Sequence, residues 1–399
     1  MLNDLKLEFW GDMQKTFWVE NSAVAILSNE QLKGLISTDG RKAHRPIISL
    51  PHSGTYTPYR DISFNRKSSS KQTLEVDTFI YAADEVDITD KNQTRYPLTE
   101  GLAQDQMRTL NNKVEQILLG NINGAFHTIE GAGNSALVVD TTSIFDVFES
   151  AETKLASIDA PQGNRVAIFG PHLVATIRRT KADRETPLGD SVLVNGVVGP
   201  WGGYTIIQNN NLPYTASLHM ATKPTATNTV TIAGVVFEFV DLITNAASST
   251  SNIVVLSGAG VANSRANLKS AVEGDATSKG TTWKEATGSV SAYNRFVLNE
   301  KRGLAITSAE DMVLTGYGDI VVSETLANAA DVWSGQEQTA IMGVAGMIDL
   351  VVQFQDIEVT KKEKGFADLV KSLIGVGSKM FNDGARCAVK VRVDASKWK

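Results

Sequence analysis

One stretch constrains the fold of this chain more than any other: YPLTEGLAQDQMRTLNNKVEQILLGNING, residues 96–124. Within it Ala103, Met107, Leu110, Val114, Ile117 and Leu118 recur at steps of three and four, which predicts one apolar stripe along a single helix. Pro97 and Thr99 are start signals, and Gly120 and Gly124 are stop signals. At about 1.5 Å per residue such a helix runs roughly 30 Å, the length of a small domain. Gln104, Arg108, Asn112 and Lys113 fall on its polar face, so the expectation is a beam with one side covered and the other wet.

The segments before it have too little apolar content to stand alone. Residues 54–88 read as a long hairpin whose return strand, TLEVDTFIY, alternates: Leu74, Val76 and Ile80 on one side, Glu75 and Asp77 on the other. Its expected tip, NRKSSSKQ, is basic and serine-rich, the composition of a solvent-reaching loop. Two strands by themselves are marginal in water, so this arm is expected to dock on something. In the first forty residues Trp10, Met13, Phe17 and Val24 can share a helical face, again with no core of their own.

From 141 to 213 the pattern alternates in type. A helix-like SIFDVFESAETKLASI precedes a strand, RVAIFG, and a helix opened by Pro171, PHLVATIRRT. GPWGGYTIIQNNNLP follows, with glycines at 199, 202 and 203, a strand over 204–207 and an asparagine turn over 209–211. Residues 224–326, rich in Ala, Thr, Ser, Asn and Gly, read as a small β-rich inserted domain. Its strands are TVTIAGVVFEFVD, NIVVLSGAG, RFVLNE and LAITS, with one helix in NSRANLKSAVEG. The chain then predicts a strand MIDLVVQF, a helix around Phe366, Leu369, Val370, Leu373 and Ile374, and a strand CAVKVRVDA that turns Val389, Val391 and Val393 inward and Lys390 and Arg392 outward. The fold class this defines is α+β.

Chemistry is hard to find. His44, His52, His127, His172 and His219 show no metal-binding spacing, and Cys387 is the only cysteine. GAGNSA at 131–136 has the outline of a dinucleotide fingerprint but precedes a strand-like LVVD, so it reads as a turn. No phosphate-cradling G-x-x-x-x-G-K-[ST] and no nucleophile-elbow G-x-S-x-G occurs. The acidic pairs Asp84/Glu85 and Glu310/Asp311 are ordinary surface carboxylates on this reading. The basic group Arg178, Arg179, Lys181 and Arg184 sits where a helix end would place it. A net charge of −6 over 399 residues argues against a surface built to grip nucleic acid. The longest apolar run, IMGVAGMIDLVVQF, is broken by Asp349 and is too short for a membrane span, and the start lacks a signal-peptide pattern, so intracellular production is expected. These readings predict no cofactor, no metal, no membrane and no enzyme.

Taken in order, RVAIFGPHLVATI, GGYTIIQNNNLP and AGMIDLVVQF…GVGSKMFNDGA, together with the arm, hairpin and long helix before them, resemble the major capsid proteins of tailed bacteriophages, which share the Hong Kong 97 fold. The resemblance covers most of the chain outside the insertion. It implies an N-terminal arm over 1–45, an extended loop over 46–95, a peripheral domain over 96–139 and 351–399, and an axial domain over 140–223 and 327–350 interrupted by the insertion at 224–326. It implies self-assembly into hexamers and pentamers around double-stranded DNA touched only weakly and non-specifically, a separate scaffolding protein, a portal, and a virion capsid assembled in the host cytoplasm. The implied subunit contacts are Arg66, Lys67, Lys71, Glu75 and Asp77 on the extended loop, and Trp201, Asn209, Asn210 and Asn211 in the axial domain. Some members link a loop lysine to a neighbour's asparagine; here Lys67 and Lys71 have no evident partner. Two other readings stand beside this one: a cellular nanocompartment shell, and an extracellular β-rich binding protein.

Overall fold

The computed structural model describes residues 24–29, 41–48, 54–61, 64, 66–87, 98–182, 200–245, 247–275, 277–287, 302–308, 310–317, 320–362 and 365–396. Of the expected elements, Trp10, Met13, Phe17, the strand RFVLNE and Arg184 lie outside these residues, as does His52. The chain divides into two units: one joins the residues up to Asn121 with Gly346–Gly384, and the other joins Ile122–Ala345 with the residues from Ala385 on.

In the first unit the predicted beam forms as a helix, α2 (Leu98–Gly120), preceded by a one-turn α1 (Val24–Leu27). It lies on a four-stranded sheet of order β1 (Ser28–Asn29), β17 (Ile348–Lys361), β18 (Ala367–Lys379) and β4 (Thr78–Asp87). Met107, Leu110, Val114 and Leu118 are buried as expected, and Arg108 stays exposed. The covered face is wider than the apolar stripe, because Gln106, Glu115 and Gln116 are buried too. The Gln106 amide donates to the Asp84 carboxylate at 2.6 Å and to the Val370 carbonyl at 3.3 Å, and it accepts from the Ser372 hydroxyl at 3.2 Å. Asn121 donates to Ser378 at 2.7 Å. Hydrogen bonds thus offset the desolvation of polar groups under the beam and fix its register on the sheet.

Two expectations for this unit are corrected. The helix expected around Phe366, Leu369, Val370, Leu373 and Ile374 is the strand β18, paired on one side with β17 and on the other with β4. A central strand carries apolar residues on both faces, so its run can mimic helical spacing. The true period shows in Val370, Ser372, Ile374 and Val376, all buried beneath α2, while Lys371 and Leu373 point to the other face. The hairpin expected over 54–88 pairs instead between β2 (Lys42–Ile48) and β3 (Ser69–Glu75), with Lys42 opposite Glu75 and Ile48 opposite Ser69. Pro46 within KAHRPII hid the first strand, since proline cannot donate to a ladder and is confined to edges. The alternation itself holds: Leu74 and Val76 are buried, and Glu75 and Asp77 are exposed. At Val76 the chain leaves the arm, its N–H bonding the Arg41 carbonyl, and continues as β4.

The second unit holds the helices α3 (Ile144–Ala156) and α4 (Pro171–Ala182), both where the sequence places them. Its larger sheet runs β13 (Arg302–Ile306), β14 (Asp311–Tyr317), β8 (Pro213–His219), β16 (Trp333–Val344), β19 (Ala388–Asp394) and β5 (His127–Ile129). β6 (Arg165–Phe169) pairs with β16 and with β7 (Thr205–Gln208). β19 turns Val389, Val391 and Val393 inward as expected. A five-stranded sheet runs β12 (Trp283–Lys284), β11 (Ile253–Leu256), β10 (Val235–Val240), β9 (Thr229–Ile232) and β15 (Val322–Thr325), with α5 (Val261–Glu273) packed on β11 and β12. β13 and β14 return to the larger sheet between β12 and β15, so the segment 224–326 contributes to both sheets. One apolar cluster, including Tyr214, Leu218, Phe237, Phe239, Trp283 and Leu314, spans them. Asp331, buried, accepts the backbone N–H groups of Ala221 at 2.8 Å and Thr222 at 3.2 Å, anchoring the chain where it passes from one sheet to the other.

Candidate assembly surfaces

The arm of the first unit is β2, β3 and the loop between Ile48 and Ser69. Its root is built into the unit, with Ala43, Leu74 and Val76 packing on Val351 and Phe381. Farther out it loses cover. Tyr56 precedes, and Tyr59 lies within, a turn in which the Arg60 N–H bonds the Thr57 carbonyl at 3.2 Å. Tyr59 is fully exposed, and Phe64 is 91% exposed. Tyr59 also holds a φ of +68°, a conformation uncommon for an aromatic residue. Arg60, Arg66 and Lys67 are exposed in the same loop. The expected tip is corrected here: residues 69–72 belong to β3, and Lys71 stands in that strand opposite Pro46. Lys67 precedes the strand. Glu75 pairs with Lys42 at 3.0 Å across the root, and Asp77 accepts from the Thr78 hydroxyl at 3.0 Å.

The aromatic residues of this loop are the features that sequence reasoning missed. SGTYTPYRDISF places aromatics among turn-forming polar residues, where no periodicity buries them; that was the available signal. The face of the β17–β18–β4 sheet away from α2 carries a second exposed group: Tyr81 on β4, with Leu373 directly across from it on β18, beside Phe79, whose ring lies 5.1 Å from the Arg41 guanidinium. A hollow of about 310 Å³ opens there, lined by Tyr81, Leu373, Lys371 and Glu358 among others. Among the described residues β4 has a strand on one side only.

In the second unit GPWGGYTIIQNNNLP is a packing device. Trp201 and Tyr204 exchange backbone hydrogen bonds at 2.9 and 3.0 Å around Gly202 and Gly203, whose φ values of +59° and +81° define a two-residue reverse turn. That turn sets the Trp201 ring 4.8 Å from Phe145 and 5.0 Å from Phe148 on α3. The Lys181 ammonium stands 5.7 Å from the centre of the same ring, and burial lowers its pKa. Tyr204 is buried against the Arg165–Glu152 ion pair, and burial pushes its phenol up to about 12. The strand β7 then closes on the asparagine turn. The Asn209 N–H bonds the Phe169 carbonyl at 3.0 Å, and its side-chain oxygen accepts the Asn211 N–H at 2.6 Å. Asn209 and Asn211 are buried in their own unit, and Asn210 is exposed.

The remaining candidate chemistry has structural partners. Asp84 accepts from Gln106, and Glu85 pairs with Lys362 at 2.6 Å. Asp311 accepts from His219 at 2.8 Å and from the Ser308 hydroxyl at 2.9 Å, and Glu310 lies 4.0 Å from His219. GAGNSA forms a turn closed by Gly131 N–H to the Ser135 carbonyl at 2.8 Å. Among the described residues no group of three His, Cys, Asp or Glu side chains could hold a metal ion, and no helix is long and apolar enough to cross a membrane.

No protein-family model and no curated protein matches the chain. Solved structures do. One from Mycobacterium phage Che8 is similar at 14% identity and a TM-score of 0.53, covering 93% of this chain and 90% of its own. A capsid structure of the cyanophage P-SCSP1u is similar at 12% identity and 0.49, covering 91% and 84%. A virus-like particle from Pyrococcus furiosus is similar at 9% identity and 0.43, covering 97% and 99%. With the arm, the long helix on its sheet and the second mixed unit in the order described, the first likeness shows the fold. It is α+β and of the Hong Kong 97 type found in tailed-phage major capsid proteins.

Proposed function

We propose that this chain is a shell subunit, the major capsid protein of a tailed phage, whose copies assemble into the hexamers and pentamers of an icosahedral shell around double-stranded DNA. The observation that carries the reading is the arm: a rooted two-stranded ladder whose connecting loop holds Tyr56, Tyr59 and Phe64, all exposed among the described residues. Exposed aromatics on a projecting loop are costly to leave in water, and a neighbouring copy offers a surface of matching character. On that surface Tyr81 and Leu373 supply apolar area, and the exposed ion pairs Glu85–Lys362 and Glu358–Lys371 form a polar rim that the loop's Arg60, Arg66 and Lys67 would meet. Lys71 and Asn210, both exposed, belong to the same set of subunit contacts, whereas Trp201, Asn209 and Asn211 act through the shape of their unit.

In this reading 1–45 and 46–95 are the arm and extended loop, 96–139 and 351–399 the peripheral domain, 140–223 and 327–350 the axial domain, and 224–326 an inserted domain that stabilises the subunit. A separate scaffolding protein and a portal complete the assembly. The net charge of −6 suits weak, non-specific contact with packaged DNA. The role is structural, the place is the virion capsid, and assembly occurs in the host cytoplasm. Expression of the chain alone and with candidate scaffolds, followed by negative-stain electron microscopy, tests the proposal. Closed particles with six- and five-fold capsomers are expected. A chain that stays monomeric under every such condition overturns it, and particles carrying a protein cargo in place of DNA would assign the shell to a nanocompartment.

A further inference from the structure

The root of the arm is held by two cations that share one ring. Arg45, on β2, sets its guanidinium 5.7 Å from the centre of the buried Phe381 ring. From there it reaches the Asp383 carboxylate at 3.0 Å and the Asp349 carboxylate at 3.8 Å. Lys379, at the end of β18, lies 5.8 Å from the same ring and donates to the Thr73 carbonyl of β3 at 2.7 Å. Each arm strand is therefore tied once, by charge, to the segment that ends β18. The two carboxylates differ in kind: the Asp383 side chain is 72% exposed, while that of Asp349 is 6% exposed. An ionised carboxylate so placed needs a cation, and among the described residues Arg45 is the one within ion-pair distance. The strands also come very close here, since a Cβ on Gly377 would lie 2.6 Å from the Glu75 carbonyl oxygen. A small displacement of the root therefore breaks several contacts together.

We propose that Arg45 is an electrostatic latch: it fixes the arm at its root while Asp349 and Asp383 are ionised, and loss of the Asp349 charge frees the β2–β3 ladder to move. The inference concerns the arm within one chain and stands whether or not copies build a shell. The charged groups facing Asp349 are Arg45 from β2 and Asp383 from the segment after β18. Lys379 of β18 is its cross-strand neighbour, and on β1 its neighbour is the uncharged Asn29. Burial raises the proton affinity of Asp349, Arg45 opposes that rise, and Asp383 adds to it. Coupling is reciprocal: because Arg45 disfavours the proton on Asp349, that proton weakens the hold of Arg45. Burial places this event at milder acidity than an ordinary carboxyl requires.

The test is hydrogen exchange read by mass spectrometry on the full chain, at concentrations where it is monomeric, with rates corrected for the intrinsic effect of pH. Arg45→Gln is expected to lower the protection of residues 42–48 and 69–75 by about tenfold at pH 7.5, with α2 unchanged. The unsubstituted chain should lose arm protection progressively as the pH is lowered from 7.5 to 4, and Asp349→Asn should show that loss already at pH 7.5 with little further change. Should Arg45→Gln loosen α2 as well, Arg45→Lys serves instead. It keeps the charge but loses the fork, so a smaller loss confined to the arm is expected, and a loss spread equally over α2 overturns the latch. Unchanged arm protection in Arg45→Gln, or a full pH response in Asp349→Asn, also overturns it.

Discussion

Replacing the three loop aromatics together, as Tyr56→Ser, Tyr59→Asn and Phe64→Ser, separates assembly from folding. Asparagine is chosen at 59 because it tolerates the positive φ that this position holds. In the lone chain the cost should be slight: Tyr59 and Phe64 are almost wholly exposed and Tyr56 is 64% exposed, so each change is worth within about 0.5 kcal/mol of folding stability. Covered by a neighbour, the same rings matter. Burying an aromatic side chain contributes about 1.5–3 kcal/mol, so three partly covered rings supply roughly 5 kcal/mol. Ordering them costs about 0.5–1.5 kcal/mol each, which leaves about 0.5–3.5 kcal/mol per arm, centred near 2 kcal/mol. Each subunit donates one arm in the proposed shell, so the concentration at which particles appear should rise by about thirtyfold. The assay pairs thermal unfolding of dilute protein with a concentration series read by light scattering and electron microscopy. Particles appearing at the unsubstituted concentration would refute the reasoning, and so would a lone chain that melts far earlier, because the rings would then be packed at home.

Three further outcomes follow from the packing. Gly377→Val should destabilise the first unit by about 1–3 kcal/mol in urea unfolding, because the added Cβ meets a backbone carbonyl at 2.6 Å and cannot push a flexible side chain aside; an unchanged midpoint would mean the root is not tightly packed. Trp201→Ala should cost the second unit roughly 2 kcal/mol and remove part of its near-ultraviolet dichroism, since the ring touches Phe145 and Phe148. His219 has its pKa raised by its hydrogen bond to Asp311, so its contribution is complete below the unfolded value near 6.5 and is lost as pH rises through the higher folded value. The melting temperature of the unsubstituted chain should therefore fall from pH 6 to pH 8 by more than that of His219→Gln, and equal slopes would discount the pair.

What could be read from the sequence was whatever one face decides. α2 and β19 each turn one apolar stripe inward, so their spacing named both their type and their inward residues, and α3 and α4 were legible as helices. β18 was misread because it has neighbours on both sides and apolar residues on both faces, which removes the alternation that marks a strand. β2 was missed because Pro46 sits in it, and an edge strand is the one place where the ladder tolerates that residue. The assembly surface divides in the same way. Its cations at 66 and 67 were legible as a charged loop, but the importance of Tyr56, Tyr59 and Phe64 depends on the absence of cover, a property of three-dimensional placement. Trp201 shows the reverse: an aromatic between glycines reads like an exposed contact, and the reverse turn instead folds it onto α3.

The arm joins two opposite designs within about thirty residues of chain. At its root Leu74 and Val76 are fully buried, Phe381 is flanked by two cations, and Gly377 admits contact closer than any side chain allows. At its far end large rings stand in water. A sticky end on a loose root would sample many surfaces, its own included, and the ordering entropy of a wrong contact would differ little from that of a right one. In the proposed shell, fixing the root would remove most of those alternatives before any encounter, so the end would meet only what a second copy presents at one distance and angle. A contact worth a few kcal/mol then suffices: it is too weak to trap a misplaced subunit, and a closed set of identical contacts is held far more firmly than any one of them. Arg45 and Asp349 stand where that fixing is decided, so a change of one charge at the root alters where the aromatic end can reach.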